Sequence, residues 1–294
     1  MTPTVLILGG NGRFGRNATE AFETAGWVVR QFDRATDTLW DAAWGAQVIV
    51  NAWNAPYDKW ATELPQQTRH VIEVAEATGA TVIVPGNVYV FGADAPETFA
   101  QTTPHAATNP LGKLRIEMEA AYRRANTRTI ILRGGDFLDT RASGNWFDQV
   151  IAKPLAKGRL SYPGPIDRAH AWAYLPDMAR AAVQLAEMRD QLEPFEDVPF
   201  PGYTLTGQDL ADAASQAIGR PVSAAPMSWT PIQLARPFWK MARHLVEMRY
   251  LWSKPHHLDG TRFNALLPDF QPTPVTEAVR SALQFQVNPD QAVA

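Results

Sequence analysis

Short apolar runs alternate with helically spaced apolar positions along the first half of the chain. The apolar runs predict strands at residues 5–8, 27–32, 47–50, 81–84 and 128–132. The segments between them predict helices at residues 14–25, 62–78 and 110–125. Strands that are apolar on both faces must be covered on both faces. The pattern therefore indicates a parallel sheet between two helical layers.

The order of these elements predicts an α/β fold with a Rossmann-like, doubly wound parallel sheet. After residue 140 the pattern is less regular, and it predicts helices at 176–188 and 207–218. Thr206 and Gly219 are suited to cap the second of these helices. We expect a sheet domain over residues 1–165 and a smaller mixed C-terminal lobe over 166–294, with some elements crossing back to the sheet.

A stretch rich in aromatic residues and methionine occupies residues 237–252. Three interpretations remain open for it: a helix whose apolar face covers the core, a lid over an apolar substrate, and an amphipathic helix at a membrane surface. The first is favoured, because most apolar helix faces serve packing.

Composition excludes several classes of protein. Apolar residues make up 46% of the chain, and the net charge is −3 without a basic block, which argues against a nucleic-acid partner. The absence of cysteine excludes disulfides and thiolate chemistry. The start of the chain lacks the long apolar segment of a secretory signal, and no apolar run predicts an integral membrane segment. We expect a cytoplasmic protein, and its oligomeric state stays open.

The most specific local motif is GGNGRFG, which directly follows the first predicted strand and opens the first predicted helix. Glycines at this junction allow a tight turn, close approach of the backbone to a pyrophosphate, and packing of helix against strand. The motif therefore predicts a dinucleotide cradle. Its residues are Gly9, Gly10, Asn11, Gly12, Arg13, Phe14 and Gly15.

The end of the second predicted strand should contact the adenine ribose. Asp33 stands there, 18 residues after Gly15, and an acidic side chain suits the ribose diol of NAD. Arg34 and Arg13 are equally suited to pair with the 2′-phosphate of NADP. Both cofactors remain open, with NADP slightly favoured.

Several segments together resemble the extended and atypical short-chain dehydrogenases/reductases of the NAD-dependent epimerase/dehydratase group. After the glycine loop, the similar segments are VIVNAWNA (48–55), VPGNVYVFG (84–92), ILRGGDF (131–137), AWAYLPDMARAA (171–182) and YTLTGQDL (203–210). The resemblance implies NAD(P) bound on the first domain and a small-molecule substrate between the domains. It implies an oxidoreductase or epimerase-like enzyme acting on a carbonyl or alcohol.

The chain departs from this family where the chemistry is done. The family uses a Ser or Thr followed by a YxxxK helix. Here Asn87 stands at the Ser/Thr position, and Leu111 and Arg115 replace the tyrosine and lysine. Leucine cannot transfer a proton, whereas arginine stays charged and can still bind a ribose or phosphate. We count Arg115 among the cofactor-binding residues.

Three outcomes follow from the missing pair. Tyr89, at the end of the fourth predicted strand, can take the tyrosine's role, with Lys113 or Arg115 lowering its pKa. Alternatively, hydride passes without a dedicated side-chain acid. In the third case the protein binds the dinucleotide without turnover, as a redox sensor or regulatory protein. We favour an enzyme, with Tyr89, Asn87 and Lys113 as its catalytic candidates.

Other candidates follow predicted strands on the ligand side. Asn51 and Ala52 are expected to lie beside the cofactor. The candidates for substrate contact are Asn54, Tyr57, Asp136, His170 and Trp172. The adjacent pair at 256–257 is not a metal site by itself, since neighbouring side chains diverge, and we predict no metal.

Overall fold

The computed structural model describes residues 2–287. Its strands are Thr4–Leu8 (β1), Val28–Gln31 (β2), Val48–Asn51 (β3), Thr81–Gly86 (β4), Thr98–Phe99 (β5), Thr129–Arg133 (β6), Asp136–Leu138 (β7), Arg159–Tyr162 (β8), His170–Tyr174 (β9), Phe195–Pro199 (β10), Tyr203–Leu205 (β11), Ser223–Pro226 (β12) and His257–Leu258 (β13). Its α-helices are Arg13–Thr24 (α1), Leu39–Ala43 (α2), Trp60–Thr78 (α3), Pro110–Arg124 (α4), Leu175–Glu187 (α5), Gly207–Ile218 (α6), Thr230–Ala235 (α7), Lys240–Glu247 (α8), Thr261–Leu266 (α9) and Val275–Val287 (α10).

Six parallel strands form the central sheet in the order β10-β6-β4-β3-β1-β2. The five predicted strands are all present, and the predicted doubly wound parallel sheet is confirmed. From β1 the chain crosses first to β2 on one side and then to β3 on the other. Because the crossovers diverge between β1 and β3, a crevice forms at the carboxyl ends of these strands.

The strand interiors explain why the apolar runs are unbroken. Val5 and Ile7 of β1 face one side of the sheet, where α1 and α5 cover them. Leu6 and Leu8 face the other side, where α3 and α4 pack. All four side chains are fully buried. Alternation of side chains along a strand thus supplies both cores from one apolar run.

A further core lies beside the sheet and belongs to the less regular half of the chain. It gathers Tyr162, Trp172 and Leu210 with helices α6 and α10. Helix α6 has the predicted bounds, with a capping box between Thr206 and Asp209 and a left-handed Gly219 at its end. The division at residue 165 stays a prediction. Strand β10 joins the central sheet from the second part, and residues 288–294 of the predicted lobe lie outside the described residues.

The aromatic stretch 237–252 is not one helix. It comprises helix α8 and a 3₁₀ turn, Met248–Trp252, and helix α7 precedes it. Met248, Leu251 and Trp252 are buried, so packing accounts for the end of the stretch. Its beginning is different, because Phe238 and Trp239 are exposed. None of the helices between residues 2 and 287 is long and apolar enough to cross a membrane.

Candidate functional site

A cavity of about 1060 Å³ opens at the carboxyl ends of the parallel strands. Its wall is built by the loops after β1, β3, β4 and β6 and by the end of β2. The predicted site residues that line it are Gly9, Gly10, Asn11, Gly12, Arg13, Phe14, Asp33, Arg34, Asn51, Ala52, Asn54, Tyr57, Asn87, Tyr89, Arg115 and Asp136. The crevice predicted by the strand order is therefore the place where the structure gathers them.

The glycine loop is held in a shape that side chains would prevent. Gly9 has a positive φ of 79°, and its carbonyl oxygen accepts a hydrogen bond of 2.9 Å from the Gly12 N–H. A Cβ on Gly15 would lie 2.0 Å from the same oxygen. Gly15 itself does not line the cavity; it lets helix α1 approach the loop. Gly12 caps α1 without a side-chain hydrogen bond, so the first amides of the helix are open to an anion.

The end of β2 brings one acidic and one basic residue to the rim. The Asp33 carboxylate accepts a 2.9 Å hydrogen bond from the backbone N–H of Ala35. The Arg34 guanidinium lies 4.7 Å from the centre of the Trp53 ring, which also lines the cavity. Among the described residues Arg34 has no hydrogen-bonded side-chain partner. Its donors are thus available to a ligand.

The Arg13 guanidinium is hydrogen-bonded to backbone carbonyls of the segment after β7. Its Nε donates to the Ser143 carbonyl at 2.8 Å, and its Nη2 donates to the Gly144 carbonyl at 2.5 Å. One turn further along α1, Arg16 forms an ion pair of 2.8 Å with Asp139. Together these bonds tie the segment after β7 across the glycine loop. Arg13 therefore shapes the wall of the cavity rather than presenting a free guanidinium to it.

Behind the loop after β3, Asn51 is buried with one unpartnered atom. Its Nδ2 donates to the Tyr122 hydroxyl at 2.9 Å, while its Oδ1 has no partner within the described chain. An unpaired buried acceptor costs free energy unless a ligand or water satisfies it. Ala52 is half-buried beside it, and Asn54 is exposed at the rim. The arrangement leaves Asn51 able to accept a hydrogen bond from a bound molecule.

Tyr57 and Tyr89 meet at the deep end of the cavity. Their hydroxyl oxygens are 2.6 Å apart, and the Tyr89 N–H donates to the Asn87 Oδ1 at 3.1 Å. Burial, together with the neighbouring Tyr57, raises the pKa of Tyr89 well above its ordinary value. Burial also raises the pKa of Tyr57. Arg115 lowers the pKa of Tyr89, as expected, but burial raises it by more, so the expected net depression is not found. Tyr89 stays a neutral hydroxyl.

Three residues in the first turns of helix α4, Leu111, Lys113 and Arg115, have different surroundings. Leu111 is buried in the core, and its backbone N–H donates to Glu247 Oε1 at 2.7 Å. Lys113 is exposed and lies away from the cavity. It is two residues from Leu111 and two from Arg115, and residues two apart point to opposite sides of a helix. Arg115 is buried in the cavity wall, 4.9 Å from the Trp60 ring, and its Nε lacks a partner within the described chain.

The substrate candidates of the second part lie behind the wall. His170 and Trp172 are buried in β9 and do not reach the cavity. The His170 Nε2 is 2.7 Å from Asp136 Oδ2, and the Asp136 carboxylate lines the cavity. The imidazole of His170 stacks in parallel on Trp252, with ring centres 4.3 Å apart. His170 thus holds the Asp136 side chain, and of the two residues it is Asp136 that lines the cavity.

One buried charge cluster escaped the sequence prediction. Arg133, wholly buried at the end of β6, donates to both oxygens of Glu119 and of Asp197 and to the Asn87 carbonyl. His105 lies 3.7 Å from Glu119. His105, Glu119 and Asp197 are close enough to one another to hold a cation, but the Arg133 guanidinium already bonds both carboxylates. The sequence signal that could have revealed this cluster is Arg133, a charged residue directly after the apolar run 130–132.

Comparison with known proteins rests on structure alone, because the sequence matches no protein-family model and no curated protein. The chain is similar to L-threonine dehydrogenase from Clostridium difficile, with a TM-score of 0.75 and 13% identity over 100% of this chain and 99% of that one. The chain has the same fold as that dehydrogenase. The chain is also similar to a human epimerase family protein, SDR39U1, solved with NADPH. The TM-score is 0.73 and the identity is 18%, over 95% of this chain and 98% of that one. For MoeE5, solved with UDP-glucuronic acid and NAD, the TM-score is 0.74 and the identity is 14%, over 97% of this chain and 99% of that one.

These likenesses bear on the fold. They confirm the Rossmann-like architecture that the sequence resemblance implied, and they extend over nearly the whole chain, including the less regular half. At such identities, what each of these proteins binds or transforms is a property of that protein. The chemistry of this chain has to be argued from its own cavity.

Proposed function

We propose that this protein is an NAD(P)-dependent oxidoreductase that acts on a small carbonyl or alcohol substrate. The observation that carries the proposal is the continuity of the cavity. One space runs from the open helix end at the glycine loop to the paired hydroxyls of Tyr57 and Tyr89. A dinucleotide laid along the strand ends would have its pyrophosphate at the first feature and its nicotinamide near the second.

The residues present fit such a cofactor. The backbone between Gly9 and Gly12 offers a cradle in which Asn11 alone carries a side chain, and the first amides of α1 face it. The unpartnered Asn51 Oδ1 and Arg115 Nε are buried polar atoms that a nicotinamide ribose would satisfy. The named neighbours solved with NADPH or NAD add support at the level of the fold.

The rim favours the phosphorylated cofactor. Arg34 keeps its guanidinium donors available over the Trp53 ring, whereas Asp33 already accepts a backbone N–H. A 2′-phosphate can take bidentate hydrogen bonds from an arginine, and such charge-assisted bonds are about twice as strong as neutral ones. We infer a preference for NADP(H), with Arg34 rather than Arg13 as the residue that determines it.

At the other end the chain offers hydrogen-bond donors. When bound, a nicotinamide supplies or accepts hydride at the substrate carbon. Tyr89, kept neutral by burial, donates a hydrogen bond to the substrate oxygen, and Tyr57 holds the Tyr89 hydroxyl in place. On reduction, the substrate oxygen would take up one proton, from Tyr89 or from water, as the carbon takes up hydride. Asp136, oriented by His170, can accept a hydrogen bond from a substrate hydroxyl. Most of the rate enhancement would come from orientation within the cavity.

The test has two stages. The purified protein is titrated with NADPH, NADP⁺, NADH and NAD⁺, and binding is followed by calorimetry. The protein with the tightest-binding reduced form is then mixed with a panel of small aldehydes and ketones, and loss of the reduced nicotinamide absorbance is recorded. We expect tighter binding of NADP(H) and substrate-dependent oxidation. Lack of binding by all four nucleotides would contradict the cofactor assignment itself.

Binding without turnover is the second candidate function. The specific observation in its favour is helix α4, where the position of the family's tyrosine is a buried leucine and Lys113 points away. This reading predicts different affinities for the oxidised and reduced forms and no oxidation with any member of the panel. Equal affinities together with turnover would exclude it.

A further inference from the structure

The tip between helices α7 and α8 exposes an unusual group of large apolar side chains. Phe238 is 93% exposed, Leu234 is 72% exposed, and Trp239 is 48% exposed. Residues 236–240 are all exposed in succession. Single exposed apolar residues are ordinary, but a contiguous exposed group marks an interaction surface. We call Leu234, Phe238 and Trp239 the aromatic tip.

Buried residues on both sides anchor the tip to the core. Trp229 before it is buried, and its indole N–H donates to the Pro163 carbonyl at 2.6 Å. Ala242 after it is wholly buried. Between these anchors, the N–H groups of Phe238 and Trp239 both donate to the Ala235 carbonyl, at 3.0 and 2.8 Å. The backbone therefore presents the aromatic side chains in a fixed outward position.

The charged side chains of the segment that carries the tip are all basic. Arg236, Lys240 and Arg243 are exposed beside the tip, and no Asp or Glu occurs between Ser228 and Val246. The whole chain carries a net charge of −3, so these cations stand out against a negative protein. An occupant of this surface must accept apolar side chains and must be anionic.

We propose that the aromatic tip docks the protein on an anionic lipid bilayer. Phenylalanine and leucine gain free energy by entering the boundary between headgroups and acyl chains, and tryptophan is enriched at that depth. Each cation near an anionic membrane surface contributes about 1 kcal/mol, which is about fivefold in affinity. A short protruding tip of three apolar residues, flanked by three cations, has the composition of a peripheral membrane anchor.

A second copy of the chain fits this surface less well. A symmetric dimer places the same patch on both sides of the interface. Arg236, Lys240 and Arg243 would then face their own copies, and like charges at an interface cost binding free energy. Charge complementarity thus points to an anionic surface rather than to self-association.

The test is flotation of the intact protein with vesicles. One set is phosphatidylcholine alone, and the other is phosphatidylcholine mixed with an equal amount of phosphatidylglycerol. We expect binding to the mixed vesicles, reduced by high salt, and none to phosphatidylcholine alone. Phe238→Ser should weaken binding at least about tenfold through lost apolar burial. The double variant R236Q/K240Q should weaken it about twenty-fivefold.

The matched control is Trp44→Ser. Trp44 is 75% exposed and stands at the end of α2, where Arg30 donates to its carbonyl oxygen and Asp41 lies one turn earlier, so its surroundings carry both charges rather than cations alone. This variant should bind the mixed vesicles as the unmodified protein does. The proposal is overturned by absence of binding to the mixed vesicles, or by full binding of Phe238→Ser. It is also overturned if sedimentation without lipid shows a dimer that Phe238→Ser dissociates. Circular dichroism establishes that each variant is folded.

Discussion

The hydroxyl oxygens of Tyr57 and Tyr89 lie 2.6 Å apart at the deep end of the cavity. The two residues come from different loops, after β3 and after β4, and the hydrogen bond closes the gap between them. Because burial makes their ionisation costly, both hydroxyls keep their protons through the neutral range. The pair is therefore a source of hydrogen-bond donors and not a base.

Removing the Tyr57 hydroxyl should change the pKa of Tyr89 in a defined direction. Both the charge and the hydrogen bond of Tyr57 raise the pKa of Tyr89, so Tyr57→Phe should lower it. NMR titration of the tyrosine Cζ resonances measures this change. Under the proposed function, Tyr89→Phe should also reduce turnover by about 10²-fold, since it removes the donor to the substrate oxygen.

Two outcomes would count against this view of the pair. An unchanged Tyr89 titration in Tyr57→Phe would mean that the two hydroxyls do not interact in solution. Unchanged turnover in Tyr89→Phe would remove Tyr89 from the reaction. Nucleotide affinity serves as the control, and it should be the same in both variants.

Cofactor preference should depend on Arg34 and not on Arg13. Arg34→Gln should weaken NADPH binding by about ten- to a hundredfold, the size of a lost charge-assisted hydrogen bond, and leave NADH binding unchanged. Arg13→Gln loosens the segment held at Ser143 and Gly144, so it should weaken both cofactors alike. Calorimetric titration of each variant with each cofactor separates the two effects. A selective loss of NADPH binding in Arg13→Gln would reverse the assignment.

The glycine loop was predictable from sequence because its rules are local. Turn geometry and helix capping operate within a few residues, and they determined both the loop and the ends of α6. The face of a helix is also a local property. Leu111 and Arg115 lie on one side of α4 and Lys113 on the other, and spacing alone could have excluded Lys113 from the cavity.

The rest of the site is set by contacts between distant parts of the chain. Tyr57 and Tyr89 pair across 32 residues, and His170 meets Asp136 across 34. Arg133 collects carboxylates from α4 and β10. No local pattern encodes such partners, so the sequence could nominate Tyr89 as an acid but could not show that burial raises its pKa. Tertiary structure also decided that the aromatic stretch is partly core and partly exposed tip.

Two glycines of the loop should respond differently to alanine. The Cβ of Gly15→Ala would lie 2.0 Å from the Gly9 carbonyl oxygen, so helix and loop must separate. We expect a loss of about 2 kcal/mol or more in the free energy of unfolding. The Cβ of Gly12→Ala would lie 3.1 Å from the same oxygen, which a small shift relieves. This variant should stay nearly as stable and lose dinucleotide affinity, because its methyl group lies where the pyrophosphate approaches.

Denaturant unfolding and nucleotide titration measure the two effects separately. The comparison is internal, since both substitutions add one methyl group to the same loop. If Gly15→Ala proved as stable as Gly12→Ala, the close approach of α1 to the loop would be incorrect. If Gly12→Ala bound dinucleotide normally, the pyrophosphate would not lie at the start of α1.

His256 should make the protein less stable in mild acid. Its ring is buried between Phe99 and His170, and burial lowers its pKa to about 3. Above the ordinary histidine pKa of about 6.5, both folded and unfolded states are neutral, and the stability is fully present. As the pH falls below that value, the unfolded state binds a proton that the folded state refuses. The free energy of unfolding should then decrease by roughly 1.4 kcal/mol per pH unit, until the pH approaches the folded pKa.

Urea unfolding at steps from neutral to mildly acidic pH measures this slope. The pKa of His105 is also lowered, chiefly by burial, so the informative quantity is the difference between the unmodified protein and His256→Gln. The variant removes the titrating ring and should show a shallower loss of stability in acid. His70→Gln, at an exposed position of α3, is the matched control and should keep the original slope. Equal slopes in His256→Gln and the unmodified protein would show that His256 does not titrate as a buried neutral ring.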